Sequence, residues 1–264
     1  MGVDPGGDIG VGTGDFGAVG SAQSVASPRI AVLDYGIGNL RSAQKAFEFV
    51  GVDATLTSDA DEAARADAVV LPGVGSFGPC RAALARTGLD EVVLDVVSSG
   101  KPFLGICVGM QLLYDGSEES PGVAGLGVLK GTVRRIPAGV KHPQMQWNKL
   151  TVLGDPPLFE GLDMPWMYFV HSFAAEMTDD VVATCEYGGS LAAAAHRDNV
   201  HATQFHPEKS GSSGLELLRN FAKIVAAETA KGEGPAGADG GDGAVGAERV
   251  TSPTEVTQIG ARDD

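Results

Sequence analysis

Between Arg29 and Tyr114, short apolar runs alternate with helical periods, and this alternation leaves few architectures open. RIAVLD (Arg29–Asp34), DATLT (Asp53–Thr57), AVVLPG (Ala68–Gly73) and KPFLGIC (Lys101–Cys107) read as strands. Between the first two, Leu40, Ala43, Ala46, Phe47 and Val50 recur at helical spacing within Asn39–Val50. Ser58–Ala66 reads as a short capped helix. Phe77–Arg86 and Leu89–Ser98 read as two more, and Val108–Tyr114 begins another. Strands separated by helices pair in parallel through right-handed crossovers. After Val128 the pattern changes. VLKGTVRRI, KLTVL, MYFVHSF, VVATCEY, LAAAAH and VHATQFH are strand-like with few helices between, which predicts an antiparallel extension. Ser212–Ala227 closes the pattern as a helix with Leu215, Leu218, Phe221, Ala222 and Val225 on one face. The expected fold is α/β: an open, mixed, mostly parallel sheet flanked by helices, with an antiparallel extension.

Glycine marks the limits of this pattern. Of 38 glycines, eight fall within residues 1–28 and eight within 231–264. Both segments are poor in aromatics and rich in small and polar residues, too little apolar area to offset the entropy of ordering them. Residues 1–28 and 231–264 are therefore expected to be disordered tails around one domain at 29–230. The formal net charge of −15 gives no global attraction for nucleic acid or anionic lipid. No run of apolar residues is long enough to span a bilayer, and the first basic residue, Arg29, comes too late for the charged start of a signal peptide. Cys80, Cys107 and Cys185 form no CxxC pair, which argues against a disulfide scaffold and for a reducing cytoplasm.

GICVG (Gly105–Gly109) has the form of a nucleophile elbow with cysteine at its apex. Small flanking residues permit a sharp strand-to-helix turn, which lifts residue 107 above the carboxyl end of the sheet. The following helix would turn its positive end toward the sulfur and favour the thiolate. Cys80 and Cys185 lack such flanks and read as ordinary buried cysteines.

QFHPEKS (Gln204–Ser210) places His206 and Glu208 two residues apart. In an extended segment both side chains point the same way, so Glu208 can fix the imidazole of His206 and leave its other nitrogen for a thiol. An oxyanion site needs backbone N–H groups beside the nucleophile. Val108 follows the elbow, and the glycine-rich turn LPGVGSFG supplies Gly73 and Val74. His196 and His201 could face each other across a hairpin turn at Asp198–Asn199, but no cysteine or paired carboxylate completes a ligand set, so no metal or cofactor is expected.

GICVGMQLL together with HATQFHPEKS resembles the class I (triad) glutamine amidotransferases, from about Ile30 to Ile224. DYGIGNLRS (Asp34–Ser42), LPGVGSF, Trp147–Asn148 and YFVHSF (Tyr168–Phe173) narrow the resemblance to the glutaminase subunits of imidazole glycerol phosphate synthase. The resemblance implies a flavodoxin-like amidotransferase fold, L-glutamine as substrate, and a catalytic triad of Cys107, His206 and Glu208. It further implies delivery of ammonia to a (β/α)8-barrel cyclase that forms imidazole glycerol phosphate in histidine biosynthesis. Gln111 and Glu119 are similar to residues that hold the α-carboxylate and α-amino groups of glutamine, and Gly75, Ser172 and Phe173 match pocket positions. Trp147, Asn148, Tyr168 and His171 correspond to the face that meets the cyclase. Gln146 stands where the family often has glycine, and Phe173 where an aromatic hydroxyl is common. The other readings are an amidotransferase for chorismate or a purine nucleotide, a stand-alone cysteine hydrolase of γ-glutamyl bonds, and a non-catalytic scaffold.

Overall fold

The computed structural model describes residues 27–232. The elements run β1 (Arg29–Leu33), α1 (Leu40–Phe49), β2 (Asp53–Thr57), α2 (Ala60–Arg65), β3 (Ala68–Gly73), α3 (Phe77–Arg86), α4 (Leu89–Ser98), β4 (Phe103–Cys107) and α5 (Val108–Gln111). There follow β5 (Gly116–Ser117), β6 (Thr132–Arg135), β7 (Gln144–Val152), β8 (Trp166–His171), β9 (Phe173–Ala175), β10 (Val181–Glu186), β11 (Ser190–Arg197), β12 (Val200–Thr203) and α6 (Gly211–Gly232). The tails expected at 1–28 and 231–264 lie almost wholly outside the described residues. Lys231 and Gly232 belong to α6.

Nine strands form the main sheet in the order β2-β1-β3-β4-β12-β11-β10-β7-β8. The pairings from β2 to β12 are parallel and those from β12 to β8 antiparallel. The parallel half is as the strand–helix alternation predicts. β3 and β4 are buried at every residue, as central strands covered on both faces must be. β12 enters from far along the sequence and pairs with β4 from Val200↔Phe103 to Thr203↔Ile106. A second sheet, β5-β6-β9, lies outside the main one.

The helices follow from local chemistry. Leu40, Ala43, Ala46 and Phe47 are the buried residues of α1, the spacing seen in the sequence. Asp59 caps α2 by accepting from Glu62 N at 3.0 Å. α1 and α6 pack together through Phe47 and Phe221, whose rings lie 6.0 Å apart. α6 buries Leu217, Leu218, Phe221 and Val225, while Leu215 and Ala222 are only half-buried. Its buried Asn220 donates to the carbonyls of Leu158 and Glu160, pinning the loop before β8. No helix among the described residues is long and apolar enough to cross a membrane.

The antiparallel half returns to the parallel half. Its outer strand, β8, bonds to the segment that follows β12: His206 N donates to Tyr168 O, and Tyr168 N donates to Ser210 Oγ, both at 3.0 Å. This brings β8 against residues that lie beyond the carboxyl ends of the parallel strands.

Candidate active site

Cys107 ends β4 at φ 56 and ψ −111, a backbone conformation that L-residues rarely adopt. The flanking glycines explain how the turn is held. A Cβ on Gly109 would lie 1.8 Å from Leu71 O, and one on Gly105 would lie 3.0 Å from Gly109 O. The turn thus packs backbone on backbone, and β3 sits directly against α5. α5 is four residues long, so the helix expected over Val108–Tyr114 stops early. One turn aligns too few peptides to carry a strong dipole. The titratable neighbour of this sulfur is instead an imidazole.

That imidazole is His206. Its Nδ1 lies 2.9 Å from Glu208 Oε1, with both side chains buried. Burial alone would lower the pKa of His206. The nearby Cys107 sulfur and the Glu208 carboxylate outweigh burial and push it up to about 10. Nε2 is buried and has no hydrogen-bond partner among the described residues. The extended pairing expected for His206 and Glu208 is not what joins them. His206 is extended, but Pro207–Lys209 form a 3-10 turn, and this turn brings the carboxylate back to the ring. Ser210 Oγ steadies the turn by donating to His206 O at 2.6 Å.

Cys107 and His206 line one cavity of about 540 Å³, a volume suited to a small polar substrate. One side of it comes from the carboxyl ends of parallel strands: Gly38 and Asn39 after β1, Val74 and Gly75 after β3, Val108 after β4, and His206 after β12. Open α/β sheets bind ligands at such ends. Cys107 itself is 3% exposed, so reagents reach it only through this cavity. Gln111, Glu119, Ser172 and Phe173 line the same cavity. Gly73 is not among the lining residues. It pairs with Cys107 in register, and a Cβ there would meet Gly109 N and Tyr35 Oη at 2.8 Å. The turn beyond it is tied down on both sides, since Tyr35 Oη donates to Pro72 O at 2.9 Å and Cys80 Sγ to Val74 O at 3.3 Å.

Two cavity side chains are already engaged. Gln111 Nε2 donates to Phe173 O at 3.0 Å and to Gln204 Oε1 at 2.9 Å. Both its hydrogens are used, so in this arrangement Gln111 offers the cavity an acceptor and cannot donate to a carboxylate. Glu119 Oε2 accepts from Phe77 N at 2.8 Å and so satisfies the first turn of α3, where Ser76 gives no side-chain cap. Its other oxygen has no protein partner among the described residues.

A family model described as glutamine amidotransferase class-I matches residues 31–225. The imidazole glycerol phosphate synthase subunit HisH of Methanothermobacter thermautotrophicus is 53% identical over 199 residues, 75% of this chain and 100% of the relative. The protein of the same name from Bacillus cereus is 43% identical over 200 residues, 75% of this chain and 96% of the relative. The chain belongs to the class-I glutamine amidotransferases. Among solved structures, that of PurLQS from Thermotoga maritima superposes with a TM-score of 0.61 at 23% identity, covering 75% of this chain and 99% of its own. At that identity the likeness concerns the fold alone.

In this amidotransferase the four residues expected on the partner face divide. Trp147 and Tyr168 lie opposite each other on β7 and β8, with ring centroids 6.2 Å apart. With the exposed Met145 and Trp166 they form an apolar face, and Met145 pairs with Val170 of the cavity lining. Asn148 is half-buried and turns toward β10, donating to Glu186 O at 3.0 Å. His171 is buried in the cavity wall, and its Nδ1–H donates to Phe173 O at 2.8 Å. Burial first, then the charge of His206, holds its pKa down to about 4, against the raising effect of that bond. Adjacent strand residues point to opposite faces, a period visible in the sequence. His196 and His201 do stack across their hairpin, with centroids 4.4 Å apart. No cluster of metal-ligand type occurs among the described residues. The sequence reading missed Gln204, although it stands two residues before His206.

Proposed function

We propose that this chain is a glutaminase that hydrolyses L-glutamine and passes the ammonia to a cyclase partner, which uses it to form imidazole glycerol phosphate. The observation that carries the reading is the buried His206–Glu208 pair set beside Cys107 at a strained elbow, inside a cavity of substrate size. Cys80 and Cys185 offer no competing nucleophile, because burial raises the pKa of both thiols, that of Cys185 to about 11.

The chemistry follows in two halves. The Cys107 thiolate attacks the side-chain amide carbon of glutamine, and the carbonyl electrons move onto oxygen, stabilised by N–H groups of Val74 or Val108. The imidazolium of His206 gives its proton to the amide nitrogen. The C–N bond breaks, and ammonia leaves behind a glutamyl thioester. Neutral His206 then takes a proton from water as its oxygen attacks the thioester. Glutamate leaves, and the thiolate is restored beside an imidazolium. Glu208 keeps its charge throughout and holds the ring. In the cavity, Gln111 Oε1 suits an N–H of the substrate and the free oxygen of Glu119 suits the α-ammonium.

The acceptor rests on the relatives, which are named as subunits of imidazole glycerol phosphate synthase. The apolar face of Met145, Trp147, Trp166 and Tyr168 supports a partner docked at the cavity mouth. A glutamine-mimicking electrophile should label Cys107 alone. Cys107→Ala should abolish glutamate release with the cyclase present, and the isolated wild-type chain should turn over far less than the complex. Undiminished turnover in Cys107→Ala overturns the glutaminase reading. Equal turnover with and without the cyclase overturns its dependence on a partner.

A further inference from the structure

Gln204 is fully buried and follows β12, next to the end of β4. Its Nε2 lies 3.7 Å from Cys107 Sγ, a hydrogen-bond distance for sulfur. An amide's oxygen and nitrogen are told apart by their partners, and here a chain of partners fixes them. The carbonyl of Phe173 can only accept, so it must face the Nε2 of Gln111. The second hydrogen of that nitrogen then needs an acceptor, which must be Gln204 Oε1. Gln204 is left with its N–H₂ turned toward Cys107. Reversing Gln204 would set two donors against each other at 2.9 Å.

We infer that Gln204 is a positioning residue for the nucleophile: its amide donates to Cys107 Sγ and favours the thiolate, and Gln111 keeps that amide in the donating orientation. A donor aimed at sulfur stabilises the anion over the thiol. His206 acts on the same sulfur and also moves protons, whereas Gln204 has no proton to give up. The two therefore divide the work. Gln204 favours the sulfur's anion before attack and again as the thioester breaks, while His206 changes its protonation state. The inference rests on the reading of Cys107 as the nucleophile.

The test is the pH profile of Cys107 alkylation in the full chain. Iodoacetamide is the probe, and adducts at residue 107 are counted by mass spectrometry. Gln204→Met keeps the volume and removes the donor. Its profile should move to higher pH, with the rate on the acid side falling about tenfold. Gln204→Glu, which sets an acceptor against the sulfur, should move it further. A folded variant of either kind whose profile coincides with that of wild type overturns the inference. One readout needs no substitution: in wild-type protein labelled at glutamine amide nitrogen, the Gln204 side-chain signals should shift as Cys107 is alkylated, and unmoved signals also overturn it. A Cys107 that reacts no faster than Cys80 or Cys185 in wild type overturns the proposed function itself. A reactive Cys107 with an unchanged profile overturns only the role of Gln204.

Discussion

The proton on His206 ties chemistry to stability. Free histidine titrates near 6.5, and in the fold the value is about 10, where Cys107 and Glu208 together outweigh burial. The native state therefore binds this proton more tightly than the unfolded chain. The resulting stabilisation is complete below pH 6.5 and fades as pH rises toward 10. Glu208→Gln keeps the shape and removes the charge. Between those pH limits the variant should lose less stability than wild type, by about 1 kcal/mol or more, read from urea midpoints at both ends. Parallel loss in the two proteins would remove Glu208 from this role. Cys107, His206 and Glu208 were legible because each lies in a short contiguous motif whose chemistry needs those residue types. The turn that joins His206 to Glu208 was not, since an extended segment accounts equally well for two side chains meeting. The engagement of Gln111 was hidden too, because its partners Phe173 and Gln204 lie far away in sequence.

Among the elements, the parallel half could be read strand by strand, since apolar runs and helical periods differ in their repeat. The order of the antiparallel strands could not. It depends on β12, paired on one side with its neighbour β11, joining the distant β4 on the other, a choice that no local period encodes. The elbow offers a sharp test at this scale. Gly109→Ala drives a methyl into the Leu71 carbonyl and must push β3 from α5. It should cost about 3 kcal/mol or more, or abolish folding. Gly75 has φ +92 with open space around its Cα, so Gly75→Ala meets backbone strain without a clash and should cost about 1 kcal/mol. Thermal unfolding of both variants separates crowding from conformation. Similar midpoints would show that the close packing at Gly109 is relaxed easily.

Across the whole molecule, the apolar face and the catalytic segment meet at β8. Its edge bonds to the backbone of His206, and its face carries Tyr168 opposite Trp147. If the cyclase docks there, Trp147→Ala should weaken the complex about thirtyfold, as loss of a central aromatic anchor does, while the isolated chain melts unchanged. Sedimentation of the mixed proteins measures this, and unaltered association would move the docking face elsewhere. The insertion of β12 beside β4 has a further consequence, for synthesis. A ribosome completes the strand bearing the cysteine long before the segment bearing the histidine has been made. Through that interval β4 lacks the strand that pairs with it in the finished sheet, and Cys107 lacks His206. On the proposed reading of Cys107 as nucleophile, a nascent chain therefore stays inert until β12 and the turn after it have been made.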